Sequence, residues 1–166
     1  MSPESSRQIS VLFVCMGNIC RSPMAEGAFQ KCLQDSKPGI SVRVDSAGTH
    51  GSHTDSPPDP RAQTVAARRG IDISSLQARR VVDEDFASFD HILAMDQDNH
   101  EWLIARAPVE HHDKIRLFLD FSASSARANV PDPYYGPVSG FERVLDLVQD
   151  GAKNLLRALI EESRRR

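Results

Sequence analysis

The stretch VLFVCMGNICRSPMAEGAF, Val11 to Phe29, runs from a block of apolar β-formers into a helical pattern, and the joint between them holds two cysteines, a glycine, an asparagine and an arginine. Residues 9–15 show the near-continuous hydrophobicity of a strand covered on both faces. Ser22-Pro23 then reads as an N-cap followed by proline at the first helical position, with Met24, Ala25, Ala28, Phe29, Cys32 and Leu33 recurring at helix spacing. Residues 16–21 must therefore make a tight strand-to-helix loop. Cys15 stands at its entrance and Arg21 at its exit.

Outward from this joint the same alternation continues. Residues 41–46, 91–95 and 114–118 read as further short strands rich in Val, Ile, Leu and Phe. Asp59-Pro60 repeats the helix start signal, with Gly70 as the stop, and residues 97–106 form a weaker helical pattern. Ser139-x-x-Glu142 reads as a capping box that opens a long apolar stripe from Phe141 to Ile160. This β-α-β-α-β-α-β-α order predicts an α/β fold, a three-layer α/β/α arrangement with a four-stranded parallel sheet and its site at the carboxyl ends of the strands. The expected organisation is a polar N-terminal extension over residues 1–8, a single domain over 9–163 and a basic tail over 164–166. The Pro/Ser-rich pieces 54–60 and 122–133 read as functional loops.

Composition narrows the classes of function. Of 166 residues, 40% are hydrophobic and 26% charged, which is ordinary globular usage and excludes a fibrous repeat or a disordered chain. The formal net charge is −3 and the basic residues are scattered, so no nucleic-acid partner is expected. The first eight residues lack the apolar core of a secretory signal, and no apolar run approaches the ~20 residues of a membrane span. A cytoplasmic protein with no membrane partner is expected. Three irregularly spaced cysteines make no disulfide framework; in a reducing compartment such thiols are reactive, metal-bound or buried.

In a strand-to-helix loop, backbone N–H groups and the positive end of the helix dipole converge on one point. The main chain of Met16, Gly17, Asn18, Ile19, Cys20, Arg21 and Ser22 is therefore expected to cradle phosphate or another oxyanion, making a phosphate-binding loop after the first strand. Gly17 and Asn18 are residue types that tolerate left-handed backbone, which such a cradle needs. Cys15 at its floor would be held as the thiolate, the nucleophilic form. Arg21 adds a planar fork that matches two phosphate oxygens. Neither G-x-x-x-x-G-K-[ST] nor G-x-G-x-x-G occurs in the chain, so the pattern is not that of a nucleotide site. These residues specify nucleophilic attack on phosphorus.

Cleavage of a phosphate ester also needs an acid for the leaving oxygen. The segment VPDPYYGP, Val130 to Pro137, offers Asp132 held stiffly between Pro131 and Pro133, although Asp-Pro is also ordinary turn chemistry. Tyr134 and Tyr135 supply a wall on which a flat substrate ring can stack. A thiolate and a phosphate dianion nearby would keep Asp132 protonated for donation. As the carboxylate it would next activate the water that hydrolyses a phosphocysteine intermediate.

Cys15-Met-Gly-Asn-Ile-Cys-Arg-Ser22, Asp45-Ser46-Ala-Gly-Thr49 and Asp132-Pro-Tyr-Tyr-Gly136 together resemble the low-molecular-weight protein tyrosine phosphatases, a similarity that runs from about Ile9 to the final helix. The resemblance implies hydrolysis of phosphotyrosine in protein substrates, and of small aryl phosphates, without metal or other cofactor. A monomer or a weakly self-associating chain is expected. By the same resemblance Cys15 is the nucleophile, Arg21 the phosphate clamp and Asp132 the general acid and base. Ser22 would hydrogen-bond the thiolate, Asn18 and Ser46 would brace the loop, and Ile19 would line the pocket with Tyr134 and Tyr135. Relatives with threonine in place of Ile19 resemble phosphoarginine phosphatases, so Ile19 favours phosphotyrosine.

Two departures from the family pattern stand out. Leu76-Gln77-Ala78-Arg79 occupies the place of an H-x-A-R segment, so the customary imidazole beside Asn18 is missing and Gln77 is expected to substitute. Ser52 stands where relatives often carry tryptophan or tyrosine at the pocket rim, which predicts a more open mouth. Cys20 is a candidate redox partner, close enough in the loop to reach Cys15 within the ~7 Å Cα limit for a disulfide; the alternative is a small packing thiol. Cys32 is expected in the core. A metal site from Cys15, Cys20, His50 and His53 is disfavoured by the neighbouring arginine, and none is expected. Two other readings stay open: an arsenate reductase on the same cradle, which would need resolving cysteines after the third strand, and a non-catalytic phosphate-binding module, which would not need Asp132 and Tyr135.

Overall fold

The computed structural model describes residues 8–121 and 129–165. Residues 1–7 of the expected N-terminal extension, residues 122–128 of the 122–133 loop and Arg166 of the basic tail lie outside the described residues. Strands β1 (Ile9–Cys15), β2 (Val42–Gly48), β3 (His91–Ala94) and β4 (Ile115–Leu117) form a wholly parallel sheet in the order β2-β1-β3-β4. Among the described residues, five α-helices accompany it: α1 (Arg21–Ser36), α2 (Pro60–Arg68), α3 (Glu84–Ser88), α4 (Gln97–Arg106) and α5 (Val138–Arg164).

Side chains of β1 alternate between two cores, as a pleated strand requires. Val11, Phe13 and Cys15 face the core shared with α1, α2 and α5, where Met24, Phe29, Val65, Phe141 and Leu145 are buried. Leu12 and Val14 face the opposite core, with Phe86, Phe89, Ile92 and Leu103. The sheet is thus covered on both sides, which produces the expected three layers and explains the near-continuous hydrophobicity of β1. Phe13 anchors the larger core, with its ring edge-on to Phe29 at 6.0 Å and to Phe118 at 5.1 Å between centroids.

Strand order places the site. The chain leaves β1 for β2 on one side and returns across β1 to β3 on the other, so its connections diverge at the carboxyl end of β1. Such a switch point opens a crevice at the sheet edge. Cys15, the last residue of β1, lies in it.

Several expected boundaries move, for physical reasons. β2 runs on to Gly48, whose amide donates to Arg79 O (2.8 Å) and whose carbonyl accepts from Val81 N (2.9 Å). β4 is trimmed because 3₁₀ turns, Val109–Lys114 and Phe118–Phe121, flank it. Helix α3 has only five residues, too short to show a period. Asp59 does cap α2, accepting from Arg61 N at 2.8 Å ahead of Pro60, and Gly70 follows that helix with φ of 77°. Ser22 and Ser139 do not cap: α1 already begins at Arg21, and α5 begins at Val138 behind Pro137 with no side-chain cap. Phe13→Ala should cost about 3–5 kcal/mol of stability in urea denaturation, against about 0.5 kcal/mol or less for the exposed Tyr135→Ala.

Candidate active site

The loop between β1 and α1 closes around the Cys15 sulfur. Asn18 sits at φ of 59°, in the left-handed region that asparagine enters more readily than most residues, and this turn aims its backbone N–H at Cys15 Sγ, 3.3 Å away. Gly17 is not in that region, so the expected sharing of the strained turn narrows to Asn18. A side chain at Gly17 would instead meet the His53 ring, since a Cβ there would come within 3.1 Å of His53 Cδ2. Neighbouring backbone pins the loop: Thr49 N donates to Cys15 O, His50 N to Met16 O, each at 2.9 Å, and Asp59 N to Ile19 O at 2.8 Å.

Beneath the loop, Asn18 spends its whole side-chain amide on bracing. Its Nδ2 donates to Ser22 Oγ (2.8 Å) and to Ser46 Oγ (3.0 Å), and its Oδ1 accepts from Arg79 N (3.0 Å). Ser22 Oγ lies 3.1 Å from Cys15 Sγ. Because Ser22 already accepts from Asn18, its own hydrogen is free to point at the sulfur. Ser46 Oγ in turn donates to Glu26 Oε1 at 2.7 Å. The expected support from Gln77 does not occur: Gln77 is exposed, Leu76 packs against the core, and the Arg79 amide makes the contact with Asn18. The Arg79 guanidinium keeps that segment in place by bridging Asp45 and Asp85.

Arg21 is 3% exposed, and its Nη1 donates to Asp96 Oδ2 (2.6 Å) and to Val130 O (3.2 Å) while Nη2 stands 3.7 Å from Asp132 Oδ2. Burial works against its charge, but the Cys15 sulfur, then Asp96 and Asp132, more than offset this and raise its affinity for the proton. Asp96 also caps α4 through Asn99 N at 2.8 Å, so one carboxylate serves helix and cation together.

A cleft of about 210 Å³ opens above the sulfur, and Cys15, Arg21, Asp132, Ile19, Tyr134 and Tyr135 all border it. Tyr134 is half-buried and Tyr135 is 93% exposed, their rings edge-to-face at 4.9 Å. The mouth on the Ser52 side is not bare, because the His53 ring lies there, 6.3 Å from Tyr134. Burial, followed by Asp59, pushes the Cys20 thiol up to about 12, so it stays protonated. Cys32 is partly buried against the larger core. Among the described residues no cluster of three or more His, Cys, Asp or Glu is placed to hold a metal.

The fold brings together Cys15, Asn18, Arg21, Ser22, Ser46 and Asp132, while sequence reasoning assigned no part in this site to Asp96, Glu26 or the Arg79 main chain and offered His53 only as a disfavoured metal ligand. Asp96 carried a signal that was available, a capping residue directly after a strand. Glu26 is 5% exposed, and a carboxylate within an apolar helical stripe is a departure worth noting.

Over residues 10–165 the chain matches the family described as low molecular weight phosphotyrosine protein phosphatase. It is 41% identical over 156 residues to the low molecular weight protein-tyrosine-phosphatase YfkJ of Bacillus subtilis, covering 93% of this chain and 97% of that one. To the Homo sapiens low molecular weight phosphotyrosine protein phosphatase it is 44% identical over 136 residues, 81% of this chain and 85% of the human one. The crystal structure of a protein tyrosine phosphatase from Entamoeba histolytica, with Hepes in its active site, superposes with a TM-score of 0.89 at 42% identity, covering 93% of this chain and 98% of that one.

Two outcomes follow from this geometry. Asn18→Ala removes three hydrogen bonds and places a Cβ-bearing residue without a local polar partner at φ of 59°, so it should unfold at lower urea than Asn18→Gly, which keeps the turn. Burial, the first cause, raises the Glu26 carboxyl from its ordinary 4.5 to about 7. The folded state then holds a proton that the unfolded chain releases, and stability present below pH 4.5 is lost as pH rises through about 7. Glu26→Gln, fixed in the neutral form, should gain in urea midpoint relative to wild type across that window.

Proposed function

The chain belongs to the low molecular weight phosphotyrosine protein phosphatase family, and from that premise we propose how its residues divide the hydrolysis of phosphotyrosine. The observation that carries the proposal is the convergence of Asn18 N and Ser22 Oγ on Cys15 Sγ, with Arg21 and Asp132 on the same cleft. Two donors are thus aimed at one buried sulfur, the atom placed to attack phosphorus.

The phosphate dianion enters the cradle of loop amides at the start of α1, where the helix dipole adds positive potential. Arg21 takes its oxygens through Nη2 and Nε while Asp96 holds Nη1, so the fork arrives oriented. Cys15 Sγ attacks phosphorus in line with the ester oxygen, and the P–O bond breaks as the S–P bond forms. Asp132 gives its proton to the departing phenolate oxygen. The Asp132 carboxylate then takes a proton from water, whose oxygen attacks the phosphocysteine, and inorganic phosphate leaves with Cys15 again a thiolate. Main-chain amides and Arg21 supply the charge stabilisation through both steps.

Ile19 forms the apolar side of the cleft and Tyr134 the aromatic side, a shape that takes the ring of phosphotyrosine or of a small aryl phosphate. Its partner is a phosphotyrosine-bearing protein, met at a rim where Tyr135 projects; weak self-association through that exposed ring is compatible with the same surface. Among the described residues no helix is long and apolar enough to cross a membrane, and the three cysteines are free, which suits the reducing cytoplasm. Cys20, held protonated by its burial, would respond to oxidation of Cys15 only slowly.

Release of nitrophenolate from p-nitrophenyl phosphate checks the assignment. Cys15→Ser should abolish turnover, and Asp132→Ala should lower kcat by about 10²–10⁴-fold, the range of one general acid. Unchanged turnover in Cys15→Ser would overturn the mechanism.

A further inference from the structure

Glu26 has no part in the chemistry described above, yet it ends a continuous chain of hydrogen bonds that begins at the nucleophile. Its Oε1 accepts from Ser46 Oγ at 2.7 Å, Ser46 accepts from Asn18 Nδ2 at 3.0 Å, and Asn18 reaches Ser22 and thence Cys15 Sγ. On its other side Glu26 borders a separate polar cavity of about 360 Å³ with Gln30, Lys31, Gln34, Asp72 and Ser75. Glu26 therefore stands between the bracing of the loop and this cavity. Burial is the main reason the group ionises near 7; the Ser46 hydrogen bond opposes the shift, Asp45 adds to it and Arg79 lowers it. The charged groups around it are accounted for. Asp45 comes from β2 and Arg79 from the segment before α3, where it is shared with Asp85, while Lys31, of α1, pairs with Asp35 at 3.3 Å. Asp72, across the cavity, accepts from Ser74.

We propose that Glu26 is a positioning residue for phosphoryl transfer: its carboxylate fixes the direction of the Ser46, Asn18 and Ser22 hydrogen bonds so that the Ser22 hydroxyl points at the Cys15 sulfur, and its protonation releases that direction. As a carboxylate, Glu26 can only accept, so the Ser46 hydrogen must point to it. Ser46 then presents a lone pair to Asn18 Nδ2, the amide keeps Oδ1 toward Arg79 N, and its second hydrogen fills Ser22. As the acid, Glu26 can donate to Ser46 instead, and Ser46 is free to turn its hydrogen elsewhere. The reaction therefore carries a dependence on pH that belongs to neither Cys15 nor Asp132. This deepens the assignment of Cys15 as nucleophile and rests on it.

Turnover of p-nitrophenyl phosphate by wild type and Glu26→Gln, compared across pH 5 to 9, reads the effect directly. The ratio of their kcat values should rise about tenfold, the step expected when a neutral acceptor becomes a charged one, with its midpoint near 7. A ratio constant across the range overturns the proposal. In a Ser46→Ala background, Glu26→Gln should leave the pH profile unaltered; a surviving pH-dependent difference overturns the relay through Ser46. If Glu26→Gln fails to fold, the wild-type protein still decides. Its Asn18 side-chain amide resonances should shift with the same midpoint as the Glu26 carboxyl, and an Asn18 amide indifferent to that titration overturns the proposal. This readout involves no turnover, so it can fail while Cys15 remains the nucleophile, and loss of the nucleophile assignment appears separately in Cys15→Ser.

Discussion

One carboxamide holds the catalytic loop in shape. Asn18 occupies a left-handed turn that most residues resist, and its buried side chain repays that strain with hydrogen bonds to Ser22, Ser46 and the Arg79 amide. An amide nitrogen has two hydrogens, and both go to hydroxyls. Each hydroxyl is thereby left with its own hydrogen to give, one toward Cys15 and one toward Glu26. The orientation of this planar group, with the Glu26 carboxylate at the far end of the chain, sets which way the Ser22 and Ser46 hydroxyls face. Low local dielectric raises the stakes, since any member left unpaired at this depth would cost about 1–3 kcal/mol.

Arg21 imposes the second constraint, because a guanidinium buried this deeply must be balanced. Asp96 does so through Nη1, and the geometry leaves the other edge of the fork toward the cleft and Asp132. A phosphate dianion arriving in the cradle is a stronger partner for that edge than a carboxylate 3.7 Å away. Asp132 then faces two anions, phosphate and thiolate, without a claim on the guanidinium. In the proposed mechanism this is the group that protonates the leaving oxygen. On that proposal, substrate binding draws the Arg21 fork away from Asp132.

How much of this was legible in the chain follows from how local each signal is. The run from Ile9 to Cys15 announced a strand covered on both faces, and the Asp59-Pro60 pair marked α2, because both depend on adjacent residues. Cys15, Arg21 and Asp132 were named from residue chemistry alone, and the fold sets all three on one cleft. Asp96, Arg79 and Glu26 were not, since their roles come from partners 75, 61 and 20 positions away in sequence, supplied only by the order of strands in the sheet. The expected use of Gln77 failed for the same reason. A loop that runs beside Asn18 can offer its main chain as readily as a side chain, and sequence reports only the side chains.

The misplaced cap at Ser22 is the informative failure. Helices α2 and α4 spend capping carboxylates, from Asp59 and Asp96, on their first amides, whereas α1 begins without a side-chain cap and without an acidic residue in its first turn. The N-cap position itself belongs to Cys20, which makes no side-chain cap, and Ser22 lies one residue inside the first turn. Here its hydroxyl is already engaged by Asn18 and turned to the Cys15 sulfur. The first turn of α1 therefore carries no side-chain cap, and in the proposed mechanism its amides are the ones that meet the phosphate oxygens. A capped helix would have filled the cradle with its own oxygen. The broken local rule thus coincides with the loop that receives phosphate in the proposed mechanism: the helix start stays open on the side where Cys15 and Arg21 border one cleft.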